Sequence, residues 1–112
     1  MKGTVKYKTI RGLANYIAKA ACIDEAFANG TIICGSHGLH QFVQANEAKI
    51  KVDADKIEQV LLSADGLYMS AYPLKEAGVL DLIKSICPNL HCGFAMQEQI
   101  MKTCALHGIN IA

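Results

Sequence analysis

The chain has 112 residues, of which 52% are hydrophobic and 19% are charged, and its formal net charge is +1. This composition excludes an intrinsically disordered chain, and a near-neutral charge spread along the sequence argues against nucleic acid as a partner. A chain of this length is typical of one domain with its own core, so we expect a single domain over residues 1–112.

The sequence indicates a cytoplasmic protein with no membrane partner. Its apolar runs are shorter than the roughly 20 residues that span a bilayer. The charged start at residues 1–8 has no apolar run behind it that would make a signal peptide. Five cysteines are an odd number, so free thiols in a reducing compartment are expected rather than a disulfide scaffold.

The first third of the chain has the pattern of a βαβ unit. Residues 4–7 alternate between apolar and polar side chains, which predicts a strand. Apolar residues then recur at helical spacing from Thr9, the predicted cap, to the stop signal Asn29-Gly30. The β-branched run 31–34 follows at once and predicts a second strand, parallel to the first.

The remaining elements alternate between further predicted strands and helices. The pattern predicts a short helix at 39–46, an edge strand at 49–52, a helix at 54–64 capped by Asp53, a strand at 67–72, helices at 73–86 and 94–107, and a last strand at 109–111. The predicted fold class is therefore α/β, a small single-domain sandwich with a short, mostly parallel sheet and about four helices.

The predicted ligand-binding site is the loop that leaves the second strand. In open α/β sheets ligands bind at the carboxyl ends of the strands, and backbone N–H groups of a glycine-containing turn can hold a phosphate. Cys34 would face the core. We expect a binding or regulatory module without a cofactor, which takes a small anionic ligand or a protein partner at Gly35, Ser36, His37, Gly38 and His40.

A transition-metal site is the first alternative. Thiolate and imidazole groups are the ligands that zinc prefers, and four of them complete a tetrahedral shell. Two clusters some fifty residues apart carry such groups. The candidate ligands are Cys34, His37 and His40 in the first cluster, and Cys87, His91 and Cys92 in the second.

A cysteine-dependent enzyme is the second alternative. His37 could act as the base for Cys92, whose thiol would precede a helix N-terminus that lowers its pKa. The apolar run that leads into Ser-His-Gly is locally similar to caspase-like cysteine peptidases, in which a strand-end His-Gly pairs with a later cysteine. The similarity covers His37-Gly38 and Cys92-Gly93.

Self-association is also expected. The apolar content is high for a small chain, and a short sheet would leave an exposed edge available to a second copy. The sequence therefore predicts a homo-oligomer, in addition to the ligand or partner held by the loop.

Overall fold

The computed structural model describes residues 5–71 and 77–111, and within them every regular element is a helix. The predicted α/β sandwich with a parallel sheet is therefore wrong, because the described residues contain no strand. The helices follow one another in the order α1 (Ile10–Ala28), α2 (Gly35–Ala45), α3 (Glu47–Leu62), α4 (Val79–Ile86) and α5 (Phe94–Leu106).

Helix α1 is the central element and has the ends that its sequence predicts. The Thr9 hydroxyl accepts a hydrogen bond of 2.9 Å from the backbone N–H of Gly12. At the other end Gly30 has a φ of 83°, and the N–H of Thr31 reaches back to the carbonyl of Ala26 at 2.8 Å. A glycine in the left-handed region with this back-bond is the usual helix stop. The predicted first helix is confirmed.

Helix α3 packs along α1 and replaces a predicted strand. Ile50, Ala54, Ile57 and Leu61 are all buried and recur at helical spacing. The alternation over 49–52 is thus the first turn of a longer amphipathic helix, and Val52 is exposed on its other face. The edge strand is wrong, and Asp53 lies inside the helix rather than at its cap.

Residues 5–8 form no strand and lie against α5. The N–H of Lys6 donates to Gln99 Oε1 at 2.9 Å, and the carbonyl of Tyr7 accepts from the Thr103 hydroxyl at 2.6 Å. The backbone of this segment is thus bound by side chains of α5. The strand predicted at 4–7 is wrong for residues 5–7, and Thr4 lies outside the described residues.

Residues 67–71 run beside the start of α4. The carbonyl of Tyr68 accepts from the N–H of Val79 at 2.7 Å, and the Asp81 carboxylate accepts from the N–H of Ala71 at 2.8 Å. The predicted strand is therefore an irregular segment over its described part, and Tyr72 is not described. The helix predicted at 73–86 begins at Val79 in the structure, and residues 72–76 lie outside the described part.

Residues 109–111 form an irregular segment instead of the predicted strand. Ile109 and Ile111 are buried, and the backbone of Asn110 between them is hydrogen-bonded to the loop after α3. Its N–H donates to Asp65 Oδ1 at 2.8 Å, and its carbonyl accepts from Gly66 at 2.9 Å. The last helix before it, predicted at 94–107, is confirmed as α5.

The core forms where four of the helices meet. Helix α1 contacts α3 and α5, and α3 also contacts α4. Helix α2 contributes no buried residue to this core. Among the described residues no helix is both long and apolar enough to cross a membrane.

Candidate functional site

The predicted binding loop is the start of a helix. Gly35 has a φ of 68°, a conformation that favours glycine, and the N–H of Gly38 donates to the carbonyl of Cys34 at 3.2 Å to close the first helical turn. Residues 35–40 are therefore part of α2, not a loop at the edge of a sheet. The segment 31–34 before them is irregular and forms no strand, so the predicted βαβ unit is wrong.

Two open grooves flank α2. The outer groove lies between segment 31–34 and α2 and has a volume of about 550 Å³. The inner groove lies between α2 and α1 and has a volume of about 240 Å³. We refer to residues 31–45, which include α2 and the segment before it, as the α2 surface.

Four of the five predicted ligand-binding residues line the two grooves, and Gly35 lines neither. His37 and Gly38 line the outer groove, whereas Ser36 and His40 line the inner groove together with Lys19 of α1. Lys19 is the sole cationic Lys or Arg side chain in the two linings. The arrangement therefore does not form one phosphate cradle.

The exposed side chains of the α2 surface are largely uncharged and partly apolar. Ile32 is 84% exposed, and Cys34 is exposed rather than directed into the core as expected. Phe42 and Val43 are half-buried and hold α2 against the rest of the molecule. The surface is thus attached to the fold without being covered by it.

The absence of formal charge extends beyond α2 itself. Residues 26–46 contain no Asp, Glu, Lys or Arg, although the chain has 11 Lys and Arg and 10 Asp and Glu. None of residues 27–46 is buried. A charge-free stretch of this length can be read from the sequence, but it is informative only once the stretch is known to be exposed. A solvated surface is normally rich in charged groups.

The second cluster, residues 87–93, is a loop between α4 and α5 that is hydrogen-bonded to α1. The N–H of His91 donates to Asp24 Oδ2 at 2.8 Å, and Gln97 Nε2 donates to the carbonyl of Cys92 at 3.1 Å. Cys87 lines a cavity of about 20 Å³, roughly the space for one water, beside the ion pair of Lys49 and Glu25.

The thiols of this cluster are in environments that suppress ionisation. Burial raises the pKa of the Cys87 thiol to about 11. Burial also raises the pKa of Cys92, an effect that the nearby cation of Lys84 only partly offsets. A thiol with a raised pKa is a poor nucleophile at neutral pH because so little thiolate is present.

The two clusters remain separate in the part of the chain that is described. No hydrogen bond or ion pair there joins residues 34–40 to residues 87–93, and the grooves beside α2 are not lined by the second cluster. The dyad of His37 and Cys92 therefore gains no support from the geometry.

The zinc interpretation gains no support either. Over residues 5–71 and 77–111, no three His, Cys, Asp or Glu side chains are placed so that they could hold a metal ion. The six candidate ligands are all within these ranges. They are Cys34, His37, His40, Cys87, His91 and Cys92.

Comparison with known proteins adds no assignment. No protein-family model matches the chain, and no curated protein or solved structure matches it.

Proposed function

We propose that the chain is a protein-binding module whose docking surface is the α2 surface. The observation that carries this proposal is the charge-free stretch of residues 26–46, in which no residue from 27 to 46 is buried. The centres of protein interfaces are depleted in charged residues, whereas exposed surface without a partner is not. A large exposed aliphatic side chain such as Ile32 adds apolar area that a partner would remove from water.

A protein partner suits this surface better than a small ligand. Both grooves are open to solvent and α2, which lines both, has no buried residue, whereas small-molecule sites are normally enclosed clefts that bury most of the ligand. Together they present a convex helix with a recess on each side. A partner that contacts the helix and both recesses would cover a continuous area.

A cytoplasmic location is part of the same proposal. All five cysteines are free thiols in the structure, and Cys34 is exposed on the proposed docking surface. Exposed free thiols persist in a reducing compartment and are rare where disulfides form.

Site-specific photo-crosslinking in the cells that naturally make the protein would test the proposal. A photoreactive residue at Gln41, in the outer groove, should crosslink to one protein, whereas the same residue at exposed Gln59 of α3 should not. Ile32→Asp should abolish the crosslink at Gln41. The matched control is Leu62→Asp, because Leu62 is also exposed but lies at the far end of α3. Equal crosslinking from both positions, or none from either, would contradict the proposal.

A further inference from the structure

We propose that the partner of the α2 surface is a second copy of this chain, with α2 of each copy seated in the outer groove of the other. This inference rests on the proposed function, because it names the occupant of the same surface. Three independent observations carry it: the charge pattern, an unexplained glycine, and the relief of the surface.

The charge pattern fits a surface that meets itself. In a two-fold dimer the same patch is present on both sides, so a formal charge near the axis faces its own like charge. A surface for a different partner has no such restriction and often gains from opposite charges across the interface. Residues 26–46 carry no Asp, Glu, Lys or Arg.

Gly38 has no role within its own chain that requires a glycine. It lies inside α2 and is not among the glycines of positive φ. An added Cβ would meet only Ile33 Cγ2, at an ordinary contact distance of 3.9 Å. A glycine inside a helix is nevertheless unfavourable relative to alanine. A second backbone that approaches the groove closely would explain why no side chain is present.

The relief of the surface is self-complementary. His37, Gln41 and Gln44 are exposed and recur at helical spacing along α2, and the first two line the outer groove. Because the convex helix and the recess are adjacent, a two-fold axis between two copies places each helix against the other's recess. Amide groups both donate and accept hydrogen bonds, so Gln41 and Gln44 can pair with the same residues of a second copy.

Sedimentation velocity of the purified full-length chain, from micromolar to millimolar concentration, gives the first test. The wild-type chain should shift from monomer to dimer as concentration rises. Gly38→Ala should raise the dissociation constant by about tenfold or more, as expected for a side chain added at a close contact. The same variant should make the monomer more resistant to urea, because alanine favours the helix. If Gly38 acted only in folding, the substitution would not weaken the dimer while it stabilises the monomer.

Charge exchange at Gln41 gives a second test that does not depend on Gly38. Gln41→Glu and Gln41→Lys should each weaken the dimer when studied alone, and an equimolar mixture of the two should restore it. Gln59→Glu and Gln59→Lys, on exposed α3, are the matched controls and should leave the dimer unchanged.

The failures of this inference and of the proposed function are distinguishable. A wild-type chain that stays monomeric at millimolar concentration, or a dimer insensitive to both Gly38→Ala and the Gln41 charges, overturns the second-copy inference. If the photoreactive residue at Gln41 then crosslinks to a different protein, the proposed function stands. If it crosslinks to nothing, both are overturned.

Discussion

The Thr103 hydroxyl donates a hydrogen bond of 2.6 Å to the backbone carbonyl of Tyr7, although the two residues lie almost at opposite ends of the chain. Thr103 is fully buried on α5. Gln99 and His107, one helical turn to either side of it, bind the backbone of Lys6 and Lys8. One face of α5 therefore supplies the hydrogen bonds that a neighbouring strand would supply in a sheet.

Thr103→Val should destabilise the protein by about 1–2 kcal/mol, since it removes the donor to a part-buried carbonyl while the shape of the side chain is kept. Urea denaturation at micromolar concentration would measure the loss. Thr31→Val makes the same chemical change at an exposed position and should have almost no effect on the free energy of unfolding. Equal effects at the two positions would mean that the contact with Tyr7 contributes nothing.

Gly78→Ala should be among the most damaging glycine substitutions in the described chain. A Cβ at this position would lie 2.6 Å from the carbonyl carbon of Ser70 and 2.7 Å from the nitrogen of Ala71. These are backbone atoms, so the approach of segment 67–71 to α4 would have to open. A cost of about 1–3 kcal/mol is expected for such overpacking.

The control for Gly78→Ala is Gly38→Ala, measured at a concentration where the chain is monomeric. The space around Gly38 is open, so the same substitution there should be neutral or stabilising. The two unfolding midpoints in urea give the comparison directly. A midpoint for Gly78→Ala at or above that of the wild-type chain would show that the close approach to Ser70 is not required for folding.

A helix is predicted correctly from the sequence where its end signals and its apolar spacing indicate the same stretch. Thr9 and Gly30 bound α1, and the long helical repeat between them has no competing interpretation. The same is true of α5. For α3, the four residues 49–52 fit alternation and helix equally well. The rest of the stripe, Ile57 and Leu61, decides in favour of the helix.

The strand predictions fail for a different physical reason. Alternation of buried and exposed residues is what a strand shows, and residues 5–8 and 109–111 do alternate in burial without forming one. The alternation does not identify the hydrogen-bond partner. Here the partners are side chains of α5 and the loop at Asp65, not another strand. The predicted position of residues 35–40 at a sheet edge is wrong for the same reason, because the run before them has no strand beside it in the described part of the chain.

Asp24→Ala should loosen the loop at residues 87–93 with little change in overall stability. The Asp24 carboxylate accepts the N–H of His91 at 2.8 Å, and alanine cannot replace it. Hydrogen exchange at the His91 amide should become faster, and alkylation of the half-buried Cys92 should rise with it. Asp24→Asn keeps an acceptor oxygen and should behave more like the wild-type chain. An unchanged exchange rate at the His91 amide in Asp24→Ala would show that the hydrogen bond to Asp24 does not hold the loop in place.

Alkylation should single out Cys34 among the five thiols, because it is the exposed one while the others are buried or half-buried. Mass spectrometry after brief treatment with iodoacetamide should find one modified site at neutral pH, at a concentration where the chain is monomeric and the outer groove is open. Unfolding in urea should make all five sites reactive. Cys34→Ser should abolish the fast modification. Faster modification of Cys92 than of Cys34 would instead support the cysteine-dependent enzyme.

The free energy of unfolding should fall as the pH rises in alkaline solution, and Cys104 should account for part of this fall. Burial raises the pKa of the Cys104 and Cys87 thiols to about 11, from an ordinary value of 9.0. Between these pH values the unfolded chain loses the thiol protons and the folded chain keeps them. Stability from this source is therefore complete below about pH 9 and is lost as the pH rises to about 11, by at most ~1.4 kcal/mol per pH unit for each thiol.

Burial also raises the pKa of Tyr7, Cys22 and Cys92, so these groups add to the fall of the free energy of unfolding with pH. Comparison of a Cys104 variant with the wild-type chain isolates the Cys104 contribution. Cys104→Ala leaves a small cavity that lowers the free energy of unfolding at every pH, but it should make the fall above pH 9 shallower. Cys34→Ala, at an exposed thiol, should leave the fall unchanged. Urea titrations at a series of alkaline pH values would give the change in the free energy of unfolding with pH for the wild-type chain and both variants. Equal values for Cys104→Ala and the wild-type chain would mean that the buried thiol ionises without cost to the fold.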